Sequence, residues 1–299
     1  MYLISVDAGG TKTKTAIVNK NKEILFEYVS GAGNIAVNFQ QAKDNILEGI
    51  HASLASPYGT NCGAIVIGVA GAGRGSLKEN LQIFLEKTVP LPFLIISDAE
   101  LAYYSVFQNI SGILVIAGTG SILLARTNNK FRTLGGWGHL LGDEGSAYDI
   151  GIQALKIMIK ELEEKGIHSP FAHALAEKYD IGEESRLKEF VYSGDKAKIA
   201  RIAYTVYQLA KSGDPIASAL LKNAGTSLAK QVLRFIKILQ IKGNVPVACK
   251  GSLLEKNEIV FQYFKETLLK DRNGQVTIVE EKTETVTGAI VAWSYQKEG

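Results

Sequence analysis

Residues Asp7-Ala8-Gly9-Gly10-Thr11-Lys12-Thr13-Lys14, which follow the apolar run 2–6, give the clearest indication of the fold. A second stretch of this kind, Gly118-Thr119-Gly120-Ser121, follows the apolar run 113–117. In both places a strand is expected to end in a Gly/Thr turn and to double back. Such a turn forms a cup of backbone N–H groups, because glycine lets the main chain approach an anion closely and adopt positive φ. Two cups about a hundred residues apart predict two jaws that close on one polyphosphate.

Length and composition are consistent with a nucleotide-using enzyme. The chain has 299 residues, 46% of them hydrophobic, so it can bury a large core, and this length favours two lobes over one. The 33 Lys and Arg are mixed with 30 Asp and Glu without a long basic block, which leaves a net charge of +3. That pattern argues against a nucleic acid or a membrane surface as the main partner.

Cysteine usage and the N-terminal sequence bear on the compartment. The two cysteines, Cys62 and Cys249, lie far apart without C-x-x-C spacing. We expect them to be inert buried thiols, and not parts of a disulfide framework or a structural zinc site. The N-terminus has no basic leader, and the longest apolar runs are far shorter than a membrane span. A soluble, cytoplasmic protein is therefore expected.

The order of predicted elements repeats along the chain. Residues 1–111 are predicted to form a βββαβαβα unit, and the same order begins again at Gly112, interrupted by a helical insertion at about 147–212. The predicted strands lie near 2–6, 13–19, 23–30, 64–69, 93–97, 113–117, 121–126, 130–133, 245–248 and 275–279. We therefore expect an α/β protein with an N-terminal lobe (1–111) and a C-terminal lobe (112–299) that meet at an interlobe cleft.

This element order and its turns resemble the actin-like ATPase superfamily of sugar kinases, Hsp70 and actin, which has a two-lobed, ribonuclease H-like fold with a duplicated βββαβαβα core. Three strings carry the likeness further: Asp7 to Thr13, Ile116 to Ser121, and above all Gly135-Gly136-Trp137-Gly138-His139-Leu140-Leu141-Gly142-Asp143-Glu144-Gly145-Ser146-Ala147-Tyr148. They look like the N-acetylglucosamine kinase branch of the BadF/BadG/BcrA/BcrD-type ATPase family, and the likeness spans nearly the whole chain.

The resemblance implies an ATP-dependent, Mg²⁺-requiring kinase that phosphorylates the 6-hydroxyl of an amino sugar, and it implies a homodimer. The loop around Trp137 favours N-acetylglucosamine. N-acetylmuramic acid, glucosamine and glucose stay open as substrates, because several loops build the pocket for the sugar's 2-substituent.

Residues for nucleotide and metal follow from the two turns. Asp7 ends the first predicted strand, where a carboxylate either holds Mg²⁺ through water or accepts hydrogen bonds from its own turn. The second turn and the resemblance favour the metal. Glycine at the corner after strand 245–248 would let an adenine ring lie on the backbone, and the helix that follows favours phosphate. The predicted nucleotide contacts are Gly9, Gly10, Thr11, Lys12, Gly118, Thr119, Gly120, Gly251 and Ser252, with Ala210 from the insertion as a weaker candidate.

Asp98 is the candidate general base. It ends the strand 93–97 and opens a helix, at the sheet edge where open α/β folds bind ligands. Ser97 and Asp98 are also good helix caps, so a purely local role is the alternative. In the resembled kinases an aspartate after this strand takes the proton from the sugar hydroxyl, which favours the catalytic role.

The sugar residues are predicted from two glycine-rich loops. Glycines beside Trp137 allow the backbone to touch a flat, hydroxyl-rich ligand, although the loop also fits a tight turn with an aromatic plug. The resemblance assigns Asn34, Gly136, Trp137, Gly138 and Asp143 to the sugar, together with Asp98. His139 is either a further ligand or a buried, hydrogen-bonded imidazole.

Two other functions belong to different classes. ATPases of the same family activate 2-hydroxyacyl-CoA dehydratases or benzoyl-CoA reductases through an iron–sulfur cluster, which needs thiolates from two subunits. Cys62 and Cys249 do not lie where such a bridging cluster is expected. A non-catalytic sugar sensor would lack a base, against which Asp98 argues. Sugar kinases with a cysteine-rich zinc motif are excluded by the cysteine count.

Overall fold

The computed structural model describes residues 2–73, 75–108, 110–193, 195–271, 275–280 and 283–298. The chain forms two compact units, the first from residues 1–111 with 281–299 and the second from residues 112–280. Within the described ranges, no helix combines the length and the apolar character needed to cross a bilayer.

The first unit is built on a five-stranded mixed sheet. Its strands and first helices are β1 (Tyr2–Ala8), β2 (Thr13–Val18), β3 (Ile24–Ser30), α1 (Phe39–Ala55), β4 (Cys62–Val69), α2 (Leu77–Thr88), β5 (Phe93–Ser97) and α3 (Asp98–Phe107). The strand order is β3-β2-β1-β4-β5, with β1 antiparallel to β2 and parallel to β4. Strand β4, which lies between β1 and β5, is covered on both faces, as its unbroken apolar run 65–67 predicts.

The second unit repeats this sheet. Its elements are β6 (Ile113–Ala117), β7 (Ser121–Thr127), β8 (Lys130–Gly135), α4 (Ala147–Glu164), α5 (Pro170–Tyr179), α6 (Glu184–Tyr192), α7 (Lys196–Ala200), α8 (Ile202–Lys211), α9 (Pro215–Ile238), β9 (Val245–Lys250), α10 (Ser252–Lys256), α11 (Glu258–Asp271) and β10 (Val276–Val279). The order β10-β9-β6-β7-β8 is the order of the first sheet with each strand replaced by its counterpart. The prediction of a duplicated α/β core with a helical insertion is confirmed.

The last helix, α12 (Gly288–Glu298), packs against α3 of the first unit. The segment before it is fixed to the same unit, because Lys14 pairs with both Glu27 (2.6 Å) and Glu284 (3.1 Å). The division of the chain therefore departs from the predicted C-terminal lobe 112–299, which extends too far: the second unit ends at residue 280.

Candidate active site

The first turn (residues 9–12) joins β1 to β2. The Gly9 N–H donates to the Lys12 carbonyl at 3.0 Å, and the Gly9 carbonyl accepts from the Gly33 N–H at 2.8 Å. Gly10, Thr11 and Lys12 are exposed. The turn is thus anchored at its base, and its tip presents backbone and a hydroxyl to a ligand.

Asp7 lies one residue before the end of β1 and is half-buried. In the sheet it is opposite Lys14 of β2 and Gly68 of β4, so it lies at the edge from which the first turn projects. A carboxylate here is next to the residues predicted to bind phosphate.

The second turn (residues 118–120) joins β6 to β7, and the segment that begins α4 anchors it. The Ser121 N–H donates to Asp143 Oδ1 at 3.0 Å, and Ser121 Oγ donates to the Glu144 carbonyl at 3.0 Å. The Ala147 N–H donates to the Gly118 carbonyl at 2.9 Å. The second turn and the chain from Asp143 onward therefore form one hydrogen-bonded structure.

Neither turn uses the positive φ that we expected of its glycines, since Gly9, Gly10, Gly118 and Gly120 all lie outside that region. Their role is spatial. A Cβ added to Gly10 would meet nothing within 4 Å, whereas one added to Gly120 would lie 2.8 Å from both Asp143 Oδ1 and Lys196 Nζ. Gly10 leaves room for a ligand, and Gly120 leaves room for the protein's own ion pair.

Asp143 is buried, with only 3% of its surface exposed, and both of its oxygens have partners. Oδ1 accepts from the Ser121 N–H, and Oδ2 accepts from Lys196 Nζ at 2.5 Å. Its φ of +66° is a conformation that few residues other than glycine adopt. The sequence analysis missed Lys196, which has no local signal because it lies 53 residues from Asp143 within the insertion.

Gly251 and Ser252 lie beside the second turn. Gly251 has φ +95°, and an added Cβ would meet the Ala117 carbonyl oxygen at 2.4 Å, so only glycine fits this corner. Ser252 begins α10 and is exposed, and its Oγ is the atom that a Cβ added to Gly118 would meet first, at 3.7 Å. The structure therefore brings these two predicted nucleotide residues to the second turn. Ala210 is buried on the inner face of α8, so its predicted contact with the nucleotide stays a prediction.

Asp98 is the first residue of α3 and is half-buried. A capping box fixes the junction: Ser97 Oγ accepts from the Glu100 N–H, and Glu100 Oε2 accepts from the Ser97 N–H at 2.7 Å. Burial raises the pKa of Asp98; its hydrogen bond from the Ala99 N–H opposes the rise, and the Glu100 charge adds to it. The carboxylate is both held in place and more basic than an ordinary aspartate.

Asn34 lies in the same unit, in the loop between β3 and α1. Its Oδ1 accepts from the Ala36 N–H at 2.9 Å, so the amide NH₂ is the polar group that the side chain can still offer. The Ile35 N–H donates to the Ala70 carbonyl, and the Ala70 N–H donates to the Ala8 carbonyl at the end of β1. The loop of Asn34 is therefore fixed next to the strand that carries Asp7.

The loop that follows β8 carries the predicted sugar residues of the second unit. Gly136 has φ +73° and packs on Ile122, and Gly138 has φ +85°. Trp137 is 74% exposed. The His139 ring is exposed and meets the Tyr148 ring edge-on, with centroids 5.0 Å apart, so it is not the buried imidazole considered above. A large exposed aromatic between two positive-φ glycines is suited to stacking on a ligand.

The described residues contain no cluster of three or more His, Cys, Asp or Glu side chains that could hold a metal ion. A Mg²⁺ ion does not need such a cluster, because it is commonly held by one or two carboxylates, by water and by substrate phosphates. Asp7 has the chemistry and the position for such a role.

Both cysteines are held as neutral thiols. Burial raises the pKa of Cys62, whose Sγ donates to the Tyr58 carbonyl. Burial, aided by the Glu255 charge, raises the pKa of Cys249 to about 12. Cysteine ligates metal as a thiolate, so neither environment favours cluster binding.

Comparison with known proteins gives the family. The chain belongs to the BadF/BadG/BcrA/BcrD ATPase family, whose sequence model matches residues 4–292. The family that the turns and the Trp137 loop predict is therefore confirmed.

Individual relatives cover nearly the whole chain. An N-acetylmuramic acid/N-acetylglucosamine kinase of Clostridium acetobutylicum is 28% identical over 299 residues, which is 97% of each chain. An N-acetyl-D-glucosamine kinase of Dictyostelium discoideum is 28% identical over 288 residues, 90% of each chain. A protein of Chromobacterium violaceum of known structure shares the fold, with a TM-score of 0.75, 24% identity and coverage of 97% of this chain and 98% of its own.

Proposed function

We propose that this protein is an ATP-dependent kinase that phosphorylates the 6-hydroxyl of an amino sugar, with N-acetylglucosamine as the leading substrate. The observation that carries the proposal is Asp98, a half-buried carboxylate with a raised pKa, fixed by a capping box in the unit that also holds Asp7 and the first turn. The two kinase relatives, both named for N-acetylglucosamine, support the choice of substrate.

In this proposal Asp98 accepts the proton of the sugar's 6-hydroxyl as that oxygen attacks the γ-phosphorus of ATP. The bond between the γ-phosphorus and the oxygen that bridges it to the β-phosphate breaks, and ADP leaves. The raised pKa makes Asp98 a better proton acceptor than an ordinary aspartate. Phosphoryl transfer needs little else from the protein besides positioning and charge stabilisation.

The remaining assignments follow the site's chemistry. Backbone N–H groups and hydroxyls of the first turn and the second turn, with Gly251 and Ser252, bind the nucleotide. Asp7 would hold Mg²⁺, which neutralises phosphate charge when bound. Asn34, Gly136, Trp137 and Gly138 contact the sugar. Asp143 is available to the sugar only through the lone pairs that Ser121 and Lys196 leave free.

The substrate's 2-substituent and the assembly are further parts of the proposal. N-acetylmuramic acid, glucosamine and glucose are the competing substrates, and a coupled ADP-release assay over the four sugars ranks them by kcat/KM. A homodimer in the cytoplasm is the proposed working state, and sedimentation velocity of the purified protein tests the dimer.

The experiment that tests the catalytic assignment is Asp98→Asn. The amide keeps the size of the carboxylate and an oxygen for the Ala99 N–H, but it cannot take a proton. We expect kcat for N-acetylglucosamine to fall about 10²- to 10⁴-fold, while the calorimetric Kd for ADP stays near that of the unmodified protein. Asp44→Asn, an exposed aspartate on α1, is the matched control. Normal turnover by Asp98→Asn would refute the assignment.

The pH profile supplies an independent readout. Because the pKa of Asp98 is raised, the acid limb of kcat/KM should lie above the ordinary value of 3.8. Glu100→Gln removes the charge that contributes to this rise and keeps an oxygen for the Ser97 N–H, so we expect the acid limb to move to lower pH. A limb that does not move would exclude Asp98 as its source.

A further inference from the structure

We propose that Lys196 is a positioning residue for the nucleotide's phosphates and that it acts through Asp143 on the second turn. The proposal rests on the proposed function in one respect, namely that the ligand of the second turn is ATP. It adds a residue from the helical insertion to a site otherwise formed by the turns and by the corner after β9.

The two oxygens of the Asp143 carboxylate have different partners. Oδ1 accepts from the backbone N–H of Ser121, the residue directly after the turn, at 3.0 Å. Oδ2 pairs with Lys196 Nζ at 2.5 Å. A carboxylate held at both oxygens cannot rotate, so Lys196 fixes the direction in which Asp143 meets the Ser121 N–H.

Burial makes the pair interdependent. The Asp143 side chain is 4% exposed and the Lys196 side chain 29%. An ionised carboxylate that has left water needs a partner, and removing one member of a buried pair leaves an uncompensated charge. Without Lys196 the buried carboxylate of Asp143 would lose its partner and turn toward water, which would weaken its hydrogen bond to Ser121.

The pair also contacts the turn directly. The position that a Cβ on Gly120 would occupy is 2.8 Å from Lys196 Nζ and 2.8 Å from Asp143 Oδ1. The ion pair therefore lies against the backbone whose N–H groups are proposed to bind phosphate. A displacement of the pair leaves that stretch of backbone without support on this side.

Lys196 itself is well anchored. It is the first residue of α7, which packs against α4, and Ile199 of α7 is buried. The first residue of α4, Ala147, donates its N–H to the Gly118 carbonyl. Helix α4 thus contacts both the second turn and α7, the helix that carries Lys196. The ion pair between Lys196 and Asp143 then connects α7 back to the turn.

The test measures the affinity for ADP in the purified full-length protein. Lys196→Met keeps the length of the side chain and removes the charge, and we expect it to raise the calorimetric Kd for ADP about tenfold. Lys196→Arg keeps the charge and should restore affinity to within about threefold of the unmodified protein. Lys188→Met, an exposed lysine on α6 that pairs with Glu184, is the matched control and should leave the Kd unchanged.

A general loss of structure is distinguished by a second variant. Lys196→Met with Asp143→Asn leaves no unpaired buried charge, so it should fold with near-normal circular dichroism and still bind ADP weakly. An unchanged Kd for ADP in Lys196→Met, whatever happens to the sugar KM, overturns the proposal. Failure of the unmodified protein to bind ADP would instead overturn the proposed function, so the two outcomes are separable.

Discussion

The first turn and the second turn follow equivalent strands of their sheets but differ in what holds them. The first turn has four residues between the paired residues Ala8 and Thr13. The second has three residues between the paired residues Ala117 and Ser121. The tip of the first is exposed, and the hydrogen bonds seen for this turn among the described residues join its base, at Gly9, to Lys12 and Gly33. The second is held by hydrogen bonds from Ser121 to the segment before α4, and by the ion pair between Asp143 and Lys196.

The strand ends differ as well. Asp7 lies one residue before the end of β1, and the equivalent residue of β6 is Ile116. A carboxylate therefore accompanies the first turn, whereas in the second unit the carboxylate comes from Asp143 behind the turn and is already neutralised by Lys196. The carboxylate next to the first turn thus comes from the strand that precedes the turn, whereas the one next to the second turn comes from Asp143, before α4, and is paired with a lysine.

Among the substitutions that test this contrast, removal of the carboxylate next to the first turn should change activity most. Asp7→Asn should lower kcat/KM about 10²- to 10³-fold, since a phosphate-bound cation contributes several kcal/mol of charge stabilisation. It should also raise the Mg²⁺ concentration that gives half-maximal rate. Steady-state rates over a Mg²⁺ titration measure both.

Asp44→Asn again serves as the control, because it removes an exposed charge in the same unit. If Asp7→Asn kept the normal Mg²⁺ requirement, the contrast drawn between Asp7 and Ile116 would have no functional meaning.

The sequence predicts most of the fold, but it does not predict most of the contacts that make the two turns differ. The strands Phe93–Ser97 and Ile113–Ala117 match their predictions to the residue, because each is an apolar run ended by turn or cap residues. A helix was expected after the corner at Gly251, but the short helix α10 was not distinguished from α11, because five residues are too few for a helical period. The return of helix 288–298 to the first unit was missed because an amphipathic pattern does not specify which sheet the helix covers.

The candidate site can be read from the sequence where a residue lies near the end of a predicted strand. Asp98 directly follows strand 93–97, and Thr11 and Thr119 lie in the turns after strands 2–6 and 113–117. Lys196 has no such mark, since its role comes from the packing of α7 on α4 and from a partner 53 residues away. A tertiary contact of this kind needs coordinates.

Two glycine substitutions, one in each turn, test the contrast through the free energy of unfolding. Gly120→Ala would press a methyl group against Asp143 and Lys196 at 2.8 Å, and we expect it to lower the free energy of unfolding by about 1 to 3 kcal/mol. Gly10→Ala meets nothing within 4 Å and should change it by less than about 0.5 kcal/mol. Urea denaturation of both variants measures the difference, and equal losses would contradict the view that only the second turn is packed from behind.

The smallest expected effect concerns the residue after each turn. Thr13 Oγ1 is buried without a hydrogen-bond partner within the described part of the chain, whereas Ser121 Oγ donates to the Glu144 carbonyl at 3.0 Å. Thr13→Val removes an unsatisfied hydroxyl and should leave stability unchanged or raise it by up to about 1 kcal/mol. Ser121→Ala should lower it by about 1 kcal/mol. The loss stays small because Gln231 Nε2 also donates to the Glu144 carbonyl, at 2.9 Å.

The two substitutions therefore have opposite expected signs at equivalent positions, and thermal unfolding measured in parallel reads them directly. Because each removes one hydroxyl at the first residue of a strand that follows a Gly/Thr turn, differences in strand propensity largely cancel. A Thr13→Val variant less stable than Ser121→Ala would mean that the Thr13 hydroxyl makes a stabilising hydrogen bond. The two turns would then not differ in this respect.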